Sequence, residues 1–365
     1  MMEISQMSES MKDGISTFIG IDLATRVSKF CILDAGGDVL FRGTVPTTRE
    51  DFEKRFRPFV PAVVAIEVGS VSRLADEVLS SMGHQVVVAN ARRLKVISEN
   101  IKKCDEQDAE LLARLVRSDP KLLAPVYHRS SLAHEGLSII RARDLCVRTR
   151  TAHINLVRGM AKGFEIKLPA CDPESFAEHA NSAVRATAFA GVVLPIIGLI
   201  AELDKVIDDY ENAIKRFARK HVPIAAKLEK MPGIGPITST AFALAVDDPK
   251  RFANERTIAA YFGLVPRRDQ SGTVDKKLPI TKAGDPLIRR LLTQCAQRIL
   301  MTNSKDCDLK RFGQRLQNAG KTNKKRSVTA VARKLSVHML YVMKTGQDYD
   351  PQFQTKQQEK RMSKA

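Results

Sequence analysis

The sequence has 365 residues, enough for two or three domains that each bury a core of their own. Its 59 Lys and Arg against 41 Asp and Glu give a formal net charge of +18, which favours a polyanionic partner, most simply nucleic acid. Six scattered cysteines without a CxxC pair exclude a disulfide scaffold and a cysteine zinc site. The apolar run 188–203 is interrupted by Pro195 and is too short to cross a membrane, and the polar N-terminus does not resemble a signal peptide, so we expect a cytosolic or nucleoid-associated protein.

The first structural feature is a pair of apolar runs, Phe18–Thr25 and Ser28–Asp34, which are typical of adjacent buried strands. Asp22 lies in the middle of the first run. A buried carboxylate is costly unless a cation, a metal ion or a ligand neutralises it. Asp22 therefore belongs to a site, or it lies at a strand end and faces solvent.

Strands and helices then follow in a specific order. We predict a third strand, a helix capped by Thr48, a strand that carries Glu67, another helix and another strand, over Val39–Val45, Thr48–Phe59, Ala62–Gly69, Ser70–Met82 and Gln85–Ala89. The resulting order, β-β-β-α-β-α-β, resembles that of the ribonuclease-H-like sheet, in which three antiparallel strands continue into parallel ones. The fold class is therefore predicted to be α/β at the N-terminal end.

A long helical stretch, Ala91–Ser118, carries the next group of acids. Asp105 and Asp108 are three residues apart and so project from one face of the helix. In a ribonuclease-H-like sheet these two acids, Asp22 and Glu67 converge at one edge. Four carboxylates suit Mg²⁺ or Mn²⁺, so we predict a metal site, with a solvated acidic surface as the alternative.

Residues 131–225 are predicted to form a helical, coiled-coil-like connector, because basic residues such as Arg141 and Arg148 punctuate an apolar repeat. The density of arginine favours contact with nucleic acid or oligomerisation over a simply solvated face. After the connector, Lys230–Ala245 resembles a helix-hairpin-helix, in which Gly233 and Gly235 could bring backbone N–H groups to a phosphate. A plain turn between helices is the alternative.

The second predicted centre lies in Gly263–Ile280, where Ser271 and Gly272 are expected in a turn. Ser271 could attack phosphorus if surrounding cations hold the phosphate, although most Ser-Gly pairs are only turns. A helix is predicted over Asp285–Leu300, and the chain after Tyr349 is expected to be disordered. The cations that we expect around a bound phosphate are Arg267, Arg268, Lys276, Lys277, Lys282, Arg289 and Arg290.

Taken together, these motifs resemble the DEDD transposases of the insertion-sequence 110/1111 family, understood as bridge-RNA-guided serine recombinases. The similarity covers nearly the whole chain, and it rests on motifs that occur in the family's order: GIDLA, AIEVG, KCDEQDAELLARL, MPGIGPITSTAFAL and YFGLVPRRDQSGTVDKKLPITKAGDPLIRRLL. The resemblance implies a flexible N-terminus (1–16), a RuvC-like DEDD domain (17–130), a helical connector (131–225), a mainly α-helical C-terminal transposase domain (226–348) and a disordered tail (349–365).

The resemblance also implies the chemistry. Asp22, Glu67, Asp105 and Asp108 would bind Mg²⁺ or Mn²⁺, and Ser271 would form a phosphoserine link to DNA. Donor and target DNA would be selected by a noncoding guide RNA, so the protein needs mainly cations that contact the backbone. A homo-oligomer, dimer or tetramer, in the bacterial cytoplasm is expected.

Three other functions remain open from the residues. The first is a RuvC-like, metal-dependent, structure-specific nuclease, which would leave nicked ends without a protein adduct. The second is a sugar-kinase-like or actin-like ATPase, for which the sequence offers no convincing second phosphate loop. The third is a nucleic-acid-binding protein without enzymatic activity, in which replacing Asp22 by Ala would leave the function intact.

Overall fold

The computed structural model describes residues 15–90, 105–271, 274–320, 324–353 and 355–356. The chain divides between His128 and Arg129 into two compact units, here called the N-terminal unit and the C-terminal unit.

The described part of the N-terminal unit contains five strands and three α-helices. They are β1 (Phe18–Asp22), β2 (Val27–Leu33), β3 (Val39–Pro46), α1 (Arg49–Phe56), β4 (Val63–Glu67), α2 (Ser72–Ser81), β5 (Gln85–Ala89) and α3 (Asp105–Ser118). The predicted order from β1 to β5 is confirmed. Thr48 caps α1 as predicted, because its hydroxyl accepts a hydrogen bond of 3.1 Å from the Asp51 N–H. The first part of the predicted long helix, 91–104, lies outside the described residues.

The five strands form one mixed sheet in the order β3-β2-β1-β4-β5. β2 is antiparallel to both β1 and β3, whereas β4 is parallel to both β1 and β5. Three antiparallel strands therefore continue into parallel ones, which is consistent with the predicted ribonuclease-H-like fold.

Helices cover both faces of the sheet, because side chains alternate between the two faces along each strand. On one face, Ile19 and Ile21 of β1 join a core with Phe52, Phe56 and other apolar residues of α1 and α2. On the other face, the apolar residues of β4 and β5 pack against α3. Buried apolar runs in the central strands are the expected consequence of this two-sided cover.

The C-terminal unit is mostly helical. Its elements are α4 (Ser131–Gly163), α5 (Phe176–Val184), α6 (Ala190–His221), α7 (Ile224–Glu229), α8 (Pro236–Val246), α9 (Thr257–Tyr261), β6 (Pro266–Ser271), β7 (Val274–Ile280), α10 (Pro286–Ile299), α11 (Asp308–Asn318) and α12 (Lys324–Thr345). The long helices α4 and α6 pack against each other.

Two separate cores hold the C-terminal unit together. The main core joins the first half of α4 and the end of α6 to helices α7 to α12. The smaller core joins the second half of α4, the start of α6 and α5. Between them the α4–α6 contact is ionic: Arg143 pairs with Glu211, and Arg150 binds Asp204 at 2.6 Å. Arg150 also binds Glu174, at 2.8 Å, and its side chain is only 6% exposed.

The turn predicted at Ser271 coincides with the connection of a hairpin: Ser271 is the last residue of β6 and pairs with Val274, the first residue of β7. The expected disorder after Tyr349 is not seen where the chain is described, since the Asp308 N–H donates to the Pro351 carbonyl (2.8 Å) and the Thr355 hydroxyl donates to the Asp308 carboxylate (2.7 Å). The start of α11 can hold this segment because the first N–H groups of a helix have no intrahelical partner.

Candidate functional site

Asp22 and Glu67 are neighbours at one edge of the sheet. Each is the last residue of its strand, and the parallel pairing of β1 with β4 aligns Ile21 with Ile66, one residue earlier in both strands. Both acids are half-buried. By alternation, Asp22 lies on the same face as Gly20, and Glu67 on the same face as Ala65, which packs toward α3. The register therefore places two of the four predicted acids side by side on the face that α3 covers.

Helix α3 brings Asp108 to this face. It crosses β1 at Gly20, where a Cβ atom would lie 3.0 Å from Leu112 Cβ and would overlap the backbone of Ala109 and Ala113. Asp108 immediately precedes Ala109 and is half-buried. Asp105 is the first residue of α3, and its side chain lies outside the described part of the chain. Gly20 thus allows the close crossing that positions the first turn of α3.

Three arginines fix α3 against the β2–β3 side of the sheet. Arg114 and Arg117 donate to the carbonyl oxygens of Gly37 (3.2 Å) and Ala35 (3.1 Å). Glu110 pairs with both Arg42 of β3 and Arg114, and the hydrogen bonds from Arg114 and Arg42 lower the pKa of Glu110. Glu110 therefore stays ionised and serves the packing of α3.

The donor chemistry of this edge suits a hard divalent cation, because it consists of carboxylate oxygens. Among the side chains that the structure describes, however, no three His, Cys, Asp or Glu residues form a group that could hold a metal ion. The side chain of Asp105, the predicted fourth ligand, is not among the described ones. Asp22, Glu67 and Asp108 therefore suit the metal by residue type and lie on one face of the sheet, but the described side chains are not gathered into a closed metal site.

Sequence reasoning did not identify Lys29. The antiparallel register of β1 and β2 places Lys29 directly opposite Asp22, where cross-strand Cβ atoms are about 5 Å apart. A cationic residue opposite Asp22 offsets part of the cost of burying a carboxylate. Only the pairing register reveals this neighbour, since Lys29 is otherwise an ordinary polar residue of an alternating strand.

Ser271 lies at the end of a two-stranded ribbon in the C-terminal unit. It pairs in register with Val274, and residues 272–273, which join the two strands, lie outside the described chain. The side chain of Ser271 is likewise outside the description. Its backbone lies at the tip of the hairpin, at the end opposite the Pro266–Ile280 pair, where the ribbon joins the helices.

The ribbon aligns cations across its strands. Arg268 pairs in register with Lys277, and Asp269 with Lys276. The register therefore places two basic residues directly opposite each other on the ribbon. The Arg267 and Arg268 side chains are exposed, while those of Lys276 and Lys277 are outside the description. Lys282 is exposed just after β7, where its N–H donates to the Gly263 carbonyl (3.2 Å).

Four other predicted nucleic-acid contacts have partners within the chain. Arg141 binds Asp285 at 3.0 Å, and Asp144 binds both Arg148, at 3.1 Å, and Arg290. Arg289 donates to the carbonyl oxygens of Phe262 (3.2 Å) and Ala283 (2.9 Å). Arg289 therefore braces the base of the hairpin, and the other three would have to exchange a carboxylate for a phosphate.

The glycine turn between α7 and α8 has one packed and one open position. Gly233 has a φ of +74°, and a Cβ atom there would lie 2.9 Å from the carbonyl oxygen of Cys295 in α10. Gly233 is thus required by backbone conformation and packing. Gly235 is the residue before α8, and a Cβ atom there would meet no described atom within 4 Å. Of the two, Gly235 is the position that a phosphate could approach.

No helix in the described ranges combines the length and the apolar character that a membrane crossing needs.

Comparisons with known proteins match both units. Residues 19–165 match the DEDD transposase model of IS110 elements, and residues 225–311 match the model described as the transposase IS116/IS110/IS902 family. A probable family 20 transposase of Pseudomonas aeruginosa is 30% identical over 290 residues, which cover 77% of this chain and 83% of that protein. The transposase for insertion sequence element IS1111A of Coxiella burnetii is 27% identical over 307 residues, covering 80% of this chain and 79% of that protein. A pilin gene-inverting protein of Moraxella bovis is 30% identical over 127 residues, or 34% of this chain and 38% of that protein. The chain belongs to the IS110/IS116/IS902 family of DEDD transposases.

Proposed function

We propose that this insertion-sequence transposase, guided by a noncoding RNA, cuts and rejoins DNA through a phosphoserine intermediate on Ser271, assisted by Mg²⁺ bound by Asp22, Glu67, Asp105 and Asp108. The observation that carries the proposal is the pairing of Asp22 with Glu67 at adjoining strand ends, on the face where the first turn of α3 carries Asp108. A second line of support is the exposed cationic ribbon that ends at Ser271.

In the proposed reaction the Ser271 oxygen attacks a DNA phosphorus. A bond from phosphorus to the sugar oxygen breaks as the serine–phosphate bond forms, and the serine proton is transferred so that the departing DNA end becomes a hydroxyl. Because one phosphodiester replaces another, a hydroxyl end of a second strand can reverse the step and rejoin DNA. Arg267 and Arg268 are positioned to neutralise the phosphate.

A divalent ion held by the four acids would supply charge neutralisation at the phosphate and orient its oxygens. The role of the chain's own residues is to collect these carboxylates: strand pairing fixes Asp22 beside Glu67, and the Gly20 crossing fixes α3. The antiparallel register also places the cationic residue Lys29 opposite Asp22.

The partners in this proposal are donor and target DNA, a noncoding guide RNA and further copies of the same chain in a dimer or tetramer. The net charge of +18 supports polyanionic partners. The Moraxella relative is described as inverting a pilin gene, which supports rejoining as well as cutting. The proposed place of action is the bacterial cytoplasm, on the nucleoid.

A covalent-adduct assay tests the proposal. The full-length protein is incubated with Mg²⁺, the noncoding RNA encoded beside its element and labelled donor and target DNA, and the products are separated on denaturing gels with and without protease. We expect a protease-sensitive adduct that is lost in Ser271→Ala and in Asp22→Asn. Exposed residues provide matched controls, Ser182→Ala and Asp38→Asn, which should retain the adduct. Cleavage without an adduct, unchanged in Ser271→Ala, would show a RuvC-like nuclease instead.

A further inference from the structure

An open groove of about 460 Å³ lies along α10, within the volume range of small-ligand sites. It also touches α12 and the end of β7. The polar residues that line it are Arg289, Arg290, Thr293, Gln294, Gln297 and Thr329. None of the residues that line the groove is acidic, and α10 itself contains no Asp or Glu.

Helix α10 is divided into a buried apolar face and a polar groove face. The buried positions of the helix are Leu287, Ile288, Leu291, Leu292, Cys295, Ala296 and Ile299. Gln294 and Gln297 are exposed on the opposite side, three residues apart and thus on one face. The groove therefore presents two adjacent carboxamides from a helix that the main core holds rigidly.

The charged groups of the groove are already engaged. Arg289 donates to two backbone carbonyls, Arg290 pairs with Asp144, and the Thr293 hydroxyl donates to the Arg289 carbonyl at 2.8 Å. Within the described part of the chain, the side chains of Gln294 and Gln297 make no hydrogen bond. A carboxamide both donates and accepts, so the free hydrogen-bonding capacity of the groove suits the edge of a base better than a phosphate.

The groove also lies within reach of the proposed reaction centre. Ile280, at one end of β7, lines the groove, and Val274, at the other end, pairs with Ser271. Six steps along a strand at about 3.3 Å each span about 20 Å. Nucleotides in a duplex strand are about 3.4 Å apart, so this span corresponds to about six nucleotides.

We infer that this groove binds one strand of nucleic acid within about six nucleotides of the phosphate attacked by Ser271, and that Gln294 and Gln297 are specificity-determining residues that read base edges. The inference rests on the proposed function. A carboxamide makes its best paired hydrogen bonds with adenine, so the groove should prefer adenine. The strand is the DNA strand that contains this phosphate, because the span counts nucleotides along the chain that Ser271 attacks.

The test measures binding of the full-length protein to fluorescein-labelled 20-nucleotide homopolymers of A, C and T in DNA, and of A, C and U in RNA, at several salt concentrations. The double variant Gln294→Ala, Gln297→Ala is compared with the wild type. Alanine favours helix formation, so α10 should remain intact. Gln314→Ala, an exposed glutamine on α11, is the matched control.

We expect the double variant to weaken binding of the adenine polymer about tenfold, with little change for the other bases and an unchanged salt dependence. The loss is expected for the adenine polymer of DNA, and a loss for RNA alone would overturn the assignment to the DNA strand. Affinities equal to those of Gln314→Ala, or a loss uniform across the bases, would overturn the inference. The adduct assay separates the two proposals. If the adduct forms but the double variant keeps the base preference of the wild type, only the groove inference is refuted. If the double variant changes the base preference but no adduct forms, only the serine chemistry is refuted.

Discussion

The close crossing of α3 over β1 makes Gly20→Ala a direct test of how the acids are positioned. The added Cβ atom would lie 3.0 Å from Leu112 Cβ and would overlap backbone atoms of Ala109 and Ala113, which cannot rotate away. To restore a separation of about 3.5 Å from that backbone, α3 has to withdraw by roughly 1.5 Å. Overpacking of this kind costs about 1–3 kcal/mol, and a displacement of that size at a reaction centre can cost about 10²-fold in rate.

The assay combines urea unfolding, followed by circular dichroism, with the rate of adduct formation. We expect the free energy of unfolding of the N-terminal unit to fall by about 2 kcal/mol and the rate of adduct formation to fall about 10²-fold. Gly69→Ala is the control for stability in the same unit, because a Cβ atom there meets no described atom within 4 Å. A Gly20→Ala protein with wild-type stability and rate would refute the argument that the crossing sets the position of Asp108.

Two further predictions concern stability. Burial lowers the pKa of His84, so the folded protein favours the neutral imidazole. The contribution of neutral His84 to the free energy of unfolding is fully present above the unfolded pKa of about 6.5. It is lost as the pH falls through that value toward the folded pKa. The urea midpoint should fall between pH 7.5 and 5, less steeply in His84→Gln, and an equal slope in both proteins would contradict this. In the C-terminal unit, Asp204→Ala leaves the buried Arg150 with Glu174 alone and should cost about 2–3 kcal/mol, whereas the double change Arg150→Met, Asp204→Leu should lie within about 1 kcal/mol of the wild type. If urea unfolding shows that both variants lose the same free energy of unfolding, the cost does not come from leaving a buried charge unpaired.

The sheet could be predicted from the sequence because its central strands are covered on both faces. Continuous apolar runs and short intervening helices predicted every element from β1 to β5, and with them the strands that carry Asp22 and Glu67. Pairing register is different, because it depends on which strands lie side by side. Lys29 therefore became visible as the neighbour of Asp22 only in the structure.

The hairpin that carries Ser271 could not be predicted, because the sequences of β6 and β7 contain no continuous apolar run. The alternation that signals a strand is also absent from PRRDQS and VDKKLPI. The carboxylates that pair with the basic residues could not be predicted from the sequence either. Arg141 and Arg290 are as basic in sequence as Arg267, but they pair with acids 144 and 146 residues away in the chain.

The ionic layer between the two cores of the C-terminal unit makes the end of the α4–α6 pair a separable module. None of the buried residues of the main core comes from 151–203, and every buried residue of the smaller core lies between Arg150 and Asp204 in the chain. A short turn in place of that segment would leave every buried side chain of the main core in place. The length of segment 151–203 can therefore change between relatives without destabilising the main core, which carries the Ser271 hairpin.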